Sequence, residues 1–154
     1  MIRRIDLTVG CYIINNDKVL LIHHNKLDLW LPVGGHINPN ETPDMAIKRE
    51  AKEEVNLDIE LIGKSSIPLV GDAAKENLAL PFHSNLHSVG DHDHYCLFYL
   101  AKAKNPQELR YNHELKGAEW FSKADLRQKK VLEDVKHIAL EAFKLMKSEQ
   151  IFHS

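Results

Sequence analysis

Cysteine is nearly absent. The 154 residues hold only Cys11 and Cys96, both in apolar, strand-like runs. Buried free thiols fit them better than a disulfide, because a domain of this length closes a core without a covalent staple. An excess of one charge sign is also missing. Lys and Arg number 20 against 22 Asp and Glu, a formal net charge of −2, so long nucleic acid finds no basic field for its phosphates. No apolar window reaches the length of a membrane span, and the start, Met1-Ile2-Arg3-Arg4-Ile5-Asp6, is too polar for a secretory signal. A cytoplasmic protein with no membrane partner is the expectation. Repeats, low-complexity tracts and linkers are lacking too, so residues 1–154 read as a single domain. What remains, 44% apolar and 27% charged residues, is an ordinary globular mixture that excludes disordered and fibrous classes.

The apolar pattern divides the chain into elements. Residues 5–14 (IDLTVGCYII) and 18–23 (KVLLIH) are β-branched and apolar, with Asn15-Asn16-Asp17 as a tight turn between them, which predicts an opening hairpin. A polar loop covers 24–30, and 31–37 (LPVGGHI) is a short extended piece broken by two glycines. A helix then begins with Thr42 as cap, Pro43 in the first position and Asp44 at the positive end of the dipole, and runs to Val55. Residues 57–62, 94–101 and 117–121 read as strands. The stretch 64–93, rich in Gly, Pro, Asn and His, reads as one long loop, a kind that often carries function. Ser122 caps a turn at 123–127. The segment 131–147 is an amphipathic helix whose apolar pattern (Val131, Leu132, Val135, Ile138, Ala139, Ala142, Phe143, Leu145 and Met146) is most simply core packing. This order predicts an α/β fold, a mixed sheet flanked by helices.

Chemistry concentrates on the first helix. At 100° per residue, Glu50, Glu53 and Glu54 share one face, while Ile47, Ala51 and Val55 occupy the adjoining arc and face the sheet. Ala46, small and placed among the glutamates, leaves room for something to approach them. Like charges at this spacing cost a helix a few tenths of a kcal/mol per pair. A hard divalent cation with a taste for oxygen, Mg²⁺ or Mn²⁺, would relieve that repulsion. On the glutamates alone a solvated acidic face is the simpler reading.

The surrounding residues decide otherwise. Gly35, Glu41, Arg49, Glu50, Glu53 and Glu54 fill the fixed positions of G-x5-E-x7-R-E-U-x-E-E-x-G-U, with Ala51 and Leu57 at apolar U positions. Six fixed residues at roughly 7% frequency each match by chance on the order of 10⁻⁷ per register. In this segment, and in the tail Gly117-Ala118-Glu119-Trp120-Phe121, the chain resembles the Nudix hydrolases, MutT-like members included. Two departures stand out. Asn56 occupies the place of the usual helix-ending glycine, a mild change since asparagine tolerates the left-handed conformation. Pro32-Val33-Gly34-Gly35 carries one residue more than the commoner Pro-Gly-Gly.

The resemblance implies an α/β/α sandwich around a central mixed sheet, with a catalytic strand–loop–helix. It implies hydrolysis of a nucleoside diphosphate linked to another moiety (a nucleoside triphosphate, nucleotide sugar, ADP-ribose or dinucleoside polyphosphate) with Mg²⁺ or Mn²⁺. By that likeness Glu50, Glu53 and Glu54 hold metal, Gly34 offers a backbone carbonyl, and Glu114 supplies a further carboxylate, with Glu119 the weaker alternative. Arg49 and Glu41 form an ion pair that aims the helix, and Glu50 or Glu53 is the general base. A Nudix-fold module that binds a nucleotide without cutting it is the competing reading; such a module is expected to lose these glutamates, and all are present. RNA-cap removal fits poorly with the lack of basic excess. The substrate is a small molecule, and a monomer or homodimer is equally compatible with the sequence.

Outside the motif, Trp30 is placed either to stack a base or to pack near the core. His23 and His24 end the second strand, where one could reach phosphate. His83, His87, His92 and His94 cluster around the long loop. His92 and His94 would share a strand face as zinc ligands do, but no cysteine is near and the spacings fit no familiar zinc module, so substrate contacts or surface positions suit them better.

Overall fold

The structure is a computed structural model describing residues 2–128 and 130–153. Strands β1 (Ile5–Asn15), β2 (Lys18–His24), β3 (Trp30–Leu31) and β4 (Val33–His36) precede helix α1 (Pro43–Val55). Then come β5 (Ile59–Ile62), β6 (His83–Ser88), β7 (Asp93–Ala103), a 3₁₀ turn at Pro106–Glu108, β8 (Leu115–Phe121), α2 (Asp125–Gln128) and α3 (Glu133–His153). Among the described residues no helix is long and apolar enough to cross a membrane.

The eight strands form one mixed sheet with β1 at its centre. β1 pairs antiparallel with β2 and β4 and parallel with β7. β7 in turn carries β5 and β6, and β2 carries β3 and β8, all antiparallel. The opening hairpin closes through Asn16 and Asp17, both with positive φ (48° and 61°), between the paired Asn15 and Lys18. A two-residue turn of that hand matches the strand twist.

Alternation along the buried strands splits their side chains between two cores. Val9, Cys11 and Ile13 of β1, with Leu20 and Ile22 of β2, pack with Ala46, Ile47, Ala51 and Val55 of α1. Tyr12, Ile14, Val19 and Leu21 pack instead with Val135, Ile138, Ala142 and Phe143 of α3. A strand buried on both faces reads as an unbroken apolar run, as β1 does. The result is the expected α/β/α sandwich. Cys11 and Cys96 are buried free thiols, again as expected. Burial pushes the Cys96 thiol up to about 11 and Cys11 higher still, so both stay protonated.

Several boundaries differ from expectation. The stretch 64–93 is not one loop: His83–Ser88 forms β6 against β7. Its sequence, HSNLHS, belongs to a mostly exposed edge strand with no apolar alternation to announce it. The piece 31–37 is two strands, since β3 pairs with β2 and β4 with β1. Pro32, which has no N–H to donate, stands at the break. The added Val33 is fully buried beside α1 and pairs with Cys11 as the first residue of β4. The closing helix begins at Glu133 rather than 131, because Val131 bridges to Trp30 in extended form. Ser122 does cap α2: its Oγ accepts from Asp125 N–H (3.2 Å), while Asp125 Oδ2 accepts from Ser122 N–H (2.9 Å).

Candidate active site

Helix α1 is fastened at both ends. Thr42 Oγ1 accepts from Met45 N–H (3.2 Å), and Pro43 follows in the first turn. Asp44 Oδ2 accepts from Ala79 N–H (3.0 Å), tying the end of the 64–82 loop to the start of the helix. At the far end Asn56 adopts the left-handed conformation (φ 60°) in which a glycine was expected. Its amide Nδ2 donates to Glu108 O (3.1 Å), a contact no glycine makes.

Arg49 is the hub of the site. Nε and Nη2 grip the two oxygens of Glu41 (2.8 and 3.0 Å), and Nη2 also donates to His36 O (3.0 Å). Nη1 donates to Glu50 Oε1 (2.9 Å) and Glu53 Oε2 (3.2 Å). The expected ion pair is therefore present, and the same guanidinium reaches two of the three helix carboxylates. Glu41 Oε1 also accepts from Asn38 N–H (2.9 Å). The Arg49 contact, then the Asn38 N–H, hold the Glu41 carboxyl below its ordinary range, and Glu41 raises the Arg49 guanidinium further above its own.

Glu50, Glu53 and Glu54 do share a face, in graded environments. Glu53 is mostly exposed, whereas Glu50 is partly covered, and burial raises its carboxyl above the usual range against the opposing pull of Arg49. Gly35 stands directly against Glu50, and a Cβ there would overlap the carboxylate. Glu54 lies deepest. Its Oε1 accepts from Gly34 N–H (2.9 Å), yet burial, followed by the charges of Glu50, Glu114 and Glu53, pushes its carboxyl up to about 8. Ala46 is not an opening among the glutamates, being fully buried in the α1 core.

Glu114 approaches this face through a loop bound to the helix end. Arg110 N–H donates to Val55 O (3.2 Å) and Asn112 N–H to Glu54 O (3.1 Å). The Asn112 side chain donates to Glu53 O (3.1 Å) and accepts from Glu114 N–H (3.0 Å). Asn112 escaped the sequence reading because its partner is 59 positions away and no local pattern marks it. Glu119 lies on β8 opposite Leu21, exposed on its strand.

The aromatic and histidine candidates sort differently. Trp30 packs rather than waits for a base: it is buried, with His23 stacked on it (4.6 Å) and Phe121 at its edge (4.9 Å). His23 Nε2 is spent on Asp28 Oδ1 (2.7 Å), and His24 Nδ1 accepts from Leu27 N–H (3.2 Å). His83 stacks on Phe98. His87, His92 and His94 do gather, away from the glutamates.

The donor set on α1 suits a hard divalent cation. It consists of carboxylate oxygens that repel one another, with one pushed to about 8 by its surroundings, and a counter-charge restores them to ionised ligands.

Comparison with known proteins agrees with this geometry. The family profile of the NUDIX domain matches residues 4–142. A NUDIX-family hydrolase from Clostridium perfringens is 34% identical, over 92% of this chain and 97% of that one, with a TM-score of 0.79. At lower identity the fold is shared with an Ap4A hydrolase from C. elegans (17%, 95% of this chain and 98% of that one, TM-score 0.67). It is shared also with an ADP-ribose pyrophosphatase from Streptococcus suis (19%, 94% and 93%, TM-score 0.65).

Proposed function

The chain belongs to the Nudix hydrolase family, and from that membership we propose that it hydrolyses the pyrophosphate bond of a nucleoside diphosphate joined to a further group, with Mg²⁺ or Mn²⁺ on Glu50, Glu53 and Glu54. One observation carries the reading: a single helix face presents three carboxylates around Gly34 and Gly35, with Glu114 adding its charge and Arg49 locking two of them. An anionic diphosphate has no reason to approach such a surface unless cations lie between.

A divalent ion bound there neutralises phosphate charge and acidifies a bound water. The chain supplies the rest. Arg49 and Glu41 fix the bearing of Glu50 and Glu53. Gly34 holds Glu54 through its N–H and offers its carbonyl as a further ligand. Glu114 completes the oxygen set from the loop that Asn112 anchors. Glu50 or Glu53 accepts the proton of the attacking water.

The substrate is a small nucleotide-type anhydride: a nucleoside triphosphate, a nucleotide sugar, ADP-ribose or a dinucleoside polyphosphate. The structural neighbours named for Ap4A and ADP-ribose make those two compounds the first to try. The test is turnover of a panel of these compounds by purified protein, with Mg²⁺, with Mn²⁺ and with EDTA. Metal-dependent cleavage that Glu53→Gln lowers by a factor of 100 or more, roughly the scale of one lost catalytic group, supports the reading. Tight nucleotide binding with no cleavage under any metal would show a binding module instead.

A further inference from the structure

A second group of metal-ligating side chains lies apart from the glutamates, built across three adjacent strands. Asp6 comes from β1, His36 from the end of β4 and His94 from the start of β7. Their ligand atoms all fall within 4.8 Å of one another. The ladder registers place them: Asp6 pairs with His94, and His36 pairs with Thr8, the next residue on the Asp6 side of β1. By that alternation they project from the α3 face of the sheet, opposite the helix that carries the glutamates.

The geometry is that of a site rather than of an ion pair alone. Asp6 Oδ2 faces two imidazoles, His36 Nε2 at 3.1 Å and His92 Nε2 at 3.4 Å. Its other oxygen is held by Arg4 (3.1 Å), which leaves Oδ2 to the histidines. His92 Nδ1 rests on Asp91 Oδ1 (2.7 Å), the carboxylate–imidazole arrangement that turns the opposite nitrogen outward as a donor. Arg3 grips the carbonyls of Gly90 and His92 (2.6 and 3.1 Å), fixing the turn that delivers His92. The independent pointer is His94. Its ring lies against those of His36 and His92 at 5.1 Å, yet its Nε2 is buried without a hydrogen-bond partner among the described residues. Burial, with repulsion from the neighbouring histidines, holds this imidazole below its ordinary range.

We propose that Asp6, His36, His92 and His94 form a binding site for a single imidazole-preferring divalent cation, Zn²⁺ in the first instance, distinct from the Mg²⁺/Mn²⁺ site on α1. Four N and O donors match zinc's tetrahedral preference, whereas Mg²⁺ prefers oxygen alone. Bonds of about 2.0–2.1 Å put tetrahedral ligands about 3.4 Å apart, so modest rotation closes Asp6, His36 and His94, whose ligand atoms lie within 4.8 Å of one another, while His92, outside that trio but 3.4 Å from Asp6 Oδ2, would swing in as the fourth. Asp6, His36 and His94 stand on strands already in register, with His92 in the turn just before β7, and His36 O is the acceptor of Arg49. The ion would thus clamp the end of β4 next to Gly35. This site does not depend on the hydrolase reading.

The test is zinc titration of metal-stripped, full-length protein against a chromophoric chelator, in excess Mg²⁺ to occupy the carboxylates. The expected result is one zinc per chain, with affinity unchanged in Glu54→Gln and weakened by about 100-fold or more in His94→Ala. Asp6→Asn and His92→Gln are gentler variants that should weaken zinc in the same direction if His94→Ala does not fold. With Co²⁺ in place of zinc, the wild type should show visible absorption of a tetrahedral nitrogen-rich site, lost in the histidine variants. Zinc affinity equal in wild type and all three ligand variants overturns the proposal, as does zinc that disappears with Glu54→Gln or is displaced by Mg²⁺.

Discussion

Arg49 makes five hydrogen bonds to four residues, using both edges of its guanidinium. A lysine ammonium has three donors on a point charge and cannot span Glu41, His36 O and two helix carboxylates at once. Arg49→Lys should therefore lower kcat by about 10–100-fold with KM nearly unchanged, read by steady-state kinetics on whichever panel compound is cleaved. A raised KM at full kcat would place Arg49 on the substrate instead. Glu54 makes a prediction in the other direction. Its carboxyl is pushed up to about 8 by burial and neighbouring charge. The folded chain then holds a proton that the unfolded chain releases near the ordinary carboxylate value. By linkage the stability is fullest below that value and falls as pH rises through about 8. In EDTA the melting temperature should drop between pH 5 and pH 8, by an amount corresponding to a few kcal/mol. Glu54→Gln should remove most of that slope, and Mg²⁺ should restore wild type alone at pH 8. A slope unchanged in Glu54→Gln would mean other groups set it.

The elements around α1 explain why a departure from the family pattern is tolerated. Asn56 accepts the left-handed conformation at some cost relative to glycine, and recovers it by donating to Glu108 O. Asn56→Gly should thus leave stability within about 0.5 kcal/mol, whereas Asn56→Ala, losing the bond and strained at φ 60°, should cost about 1–2 kcal/mol in urea unfolding. An Asn56→Gly variant clearly more stable than wild type would show that the Glu108 contact carries nothing, whereas equal losses in both would show that the left-handed strain does not. The same helix end receives Asn112, whose side chain joins Glu53 O to Glu114 N–H. Cutting it with Asn112→Ala should weaken Mg²⁺ activation through misplacement of Glu114, measurable as a higher metal concentration for half-maximal rate at unchanged saturating rate. What could be read in advance here follows from range. The cap at Thr42, the Pro43 start and the Glu50/Glu53/Glu54 face are i to i+4 relations, and a helix obeys them whatever surrounds it. Asn112 and the Asp6–His36–His94 group are assembled by strand register and loop closure across dozens of residues, where no local spacing announces them.

For the whole molecule, the sheet and its two cores were visible as apolar periodicity, while β6 was hidden because an exposed edge strand needs no apolar side chains. The remaining stretch, 64–82, shows what the fold leaves free. Ile67, Leu69 and Val70 are exposed, and every residue from 66 to 78 is on the surface. The segment is tied down mainly at its later end, where Leu80 N–H donates to Gly63 O (3.1 Å) and Ala79 N–H to Asp44 beside the start of α1. An exposed segment secured beside the start of α1 contributes little to folding, and exposed loops of this kind often select a ligand, so we predict that it meets the part of a substrate beyond its phosphates. Replacing 68–76 with a short Gly-Ser link keeps the Asp44 and Gly63 ties. Loop-closure entropy changes by only about 0.6 kcal/mol per doubling of length, so the melting temperature should shift by no more than about 3 °C. Turnover across the nucleotide panel should then change unevenly, with KM rising for some compounds and not others. An even fall in kcat for every compound, or a loss of stability beyond that margin, would mean the segment supports the fold and does not select the substrate.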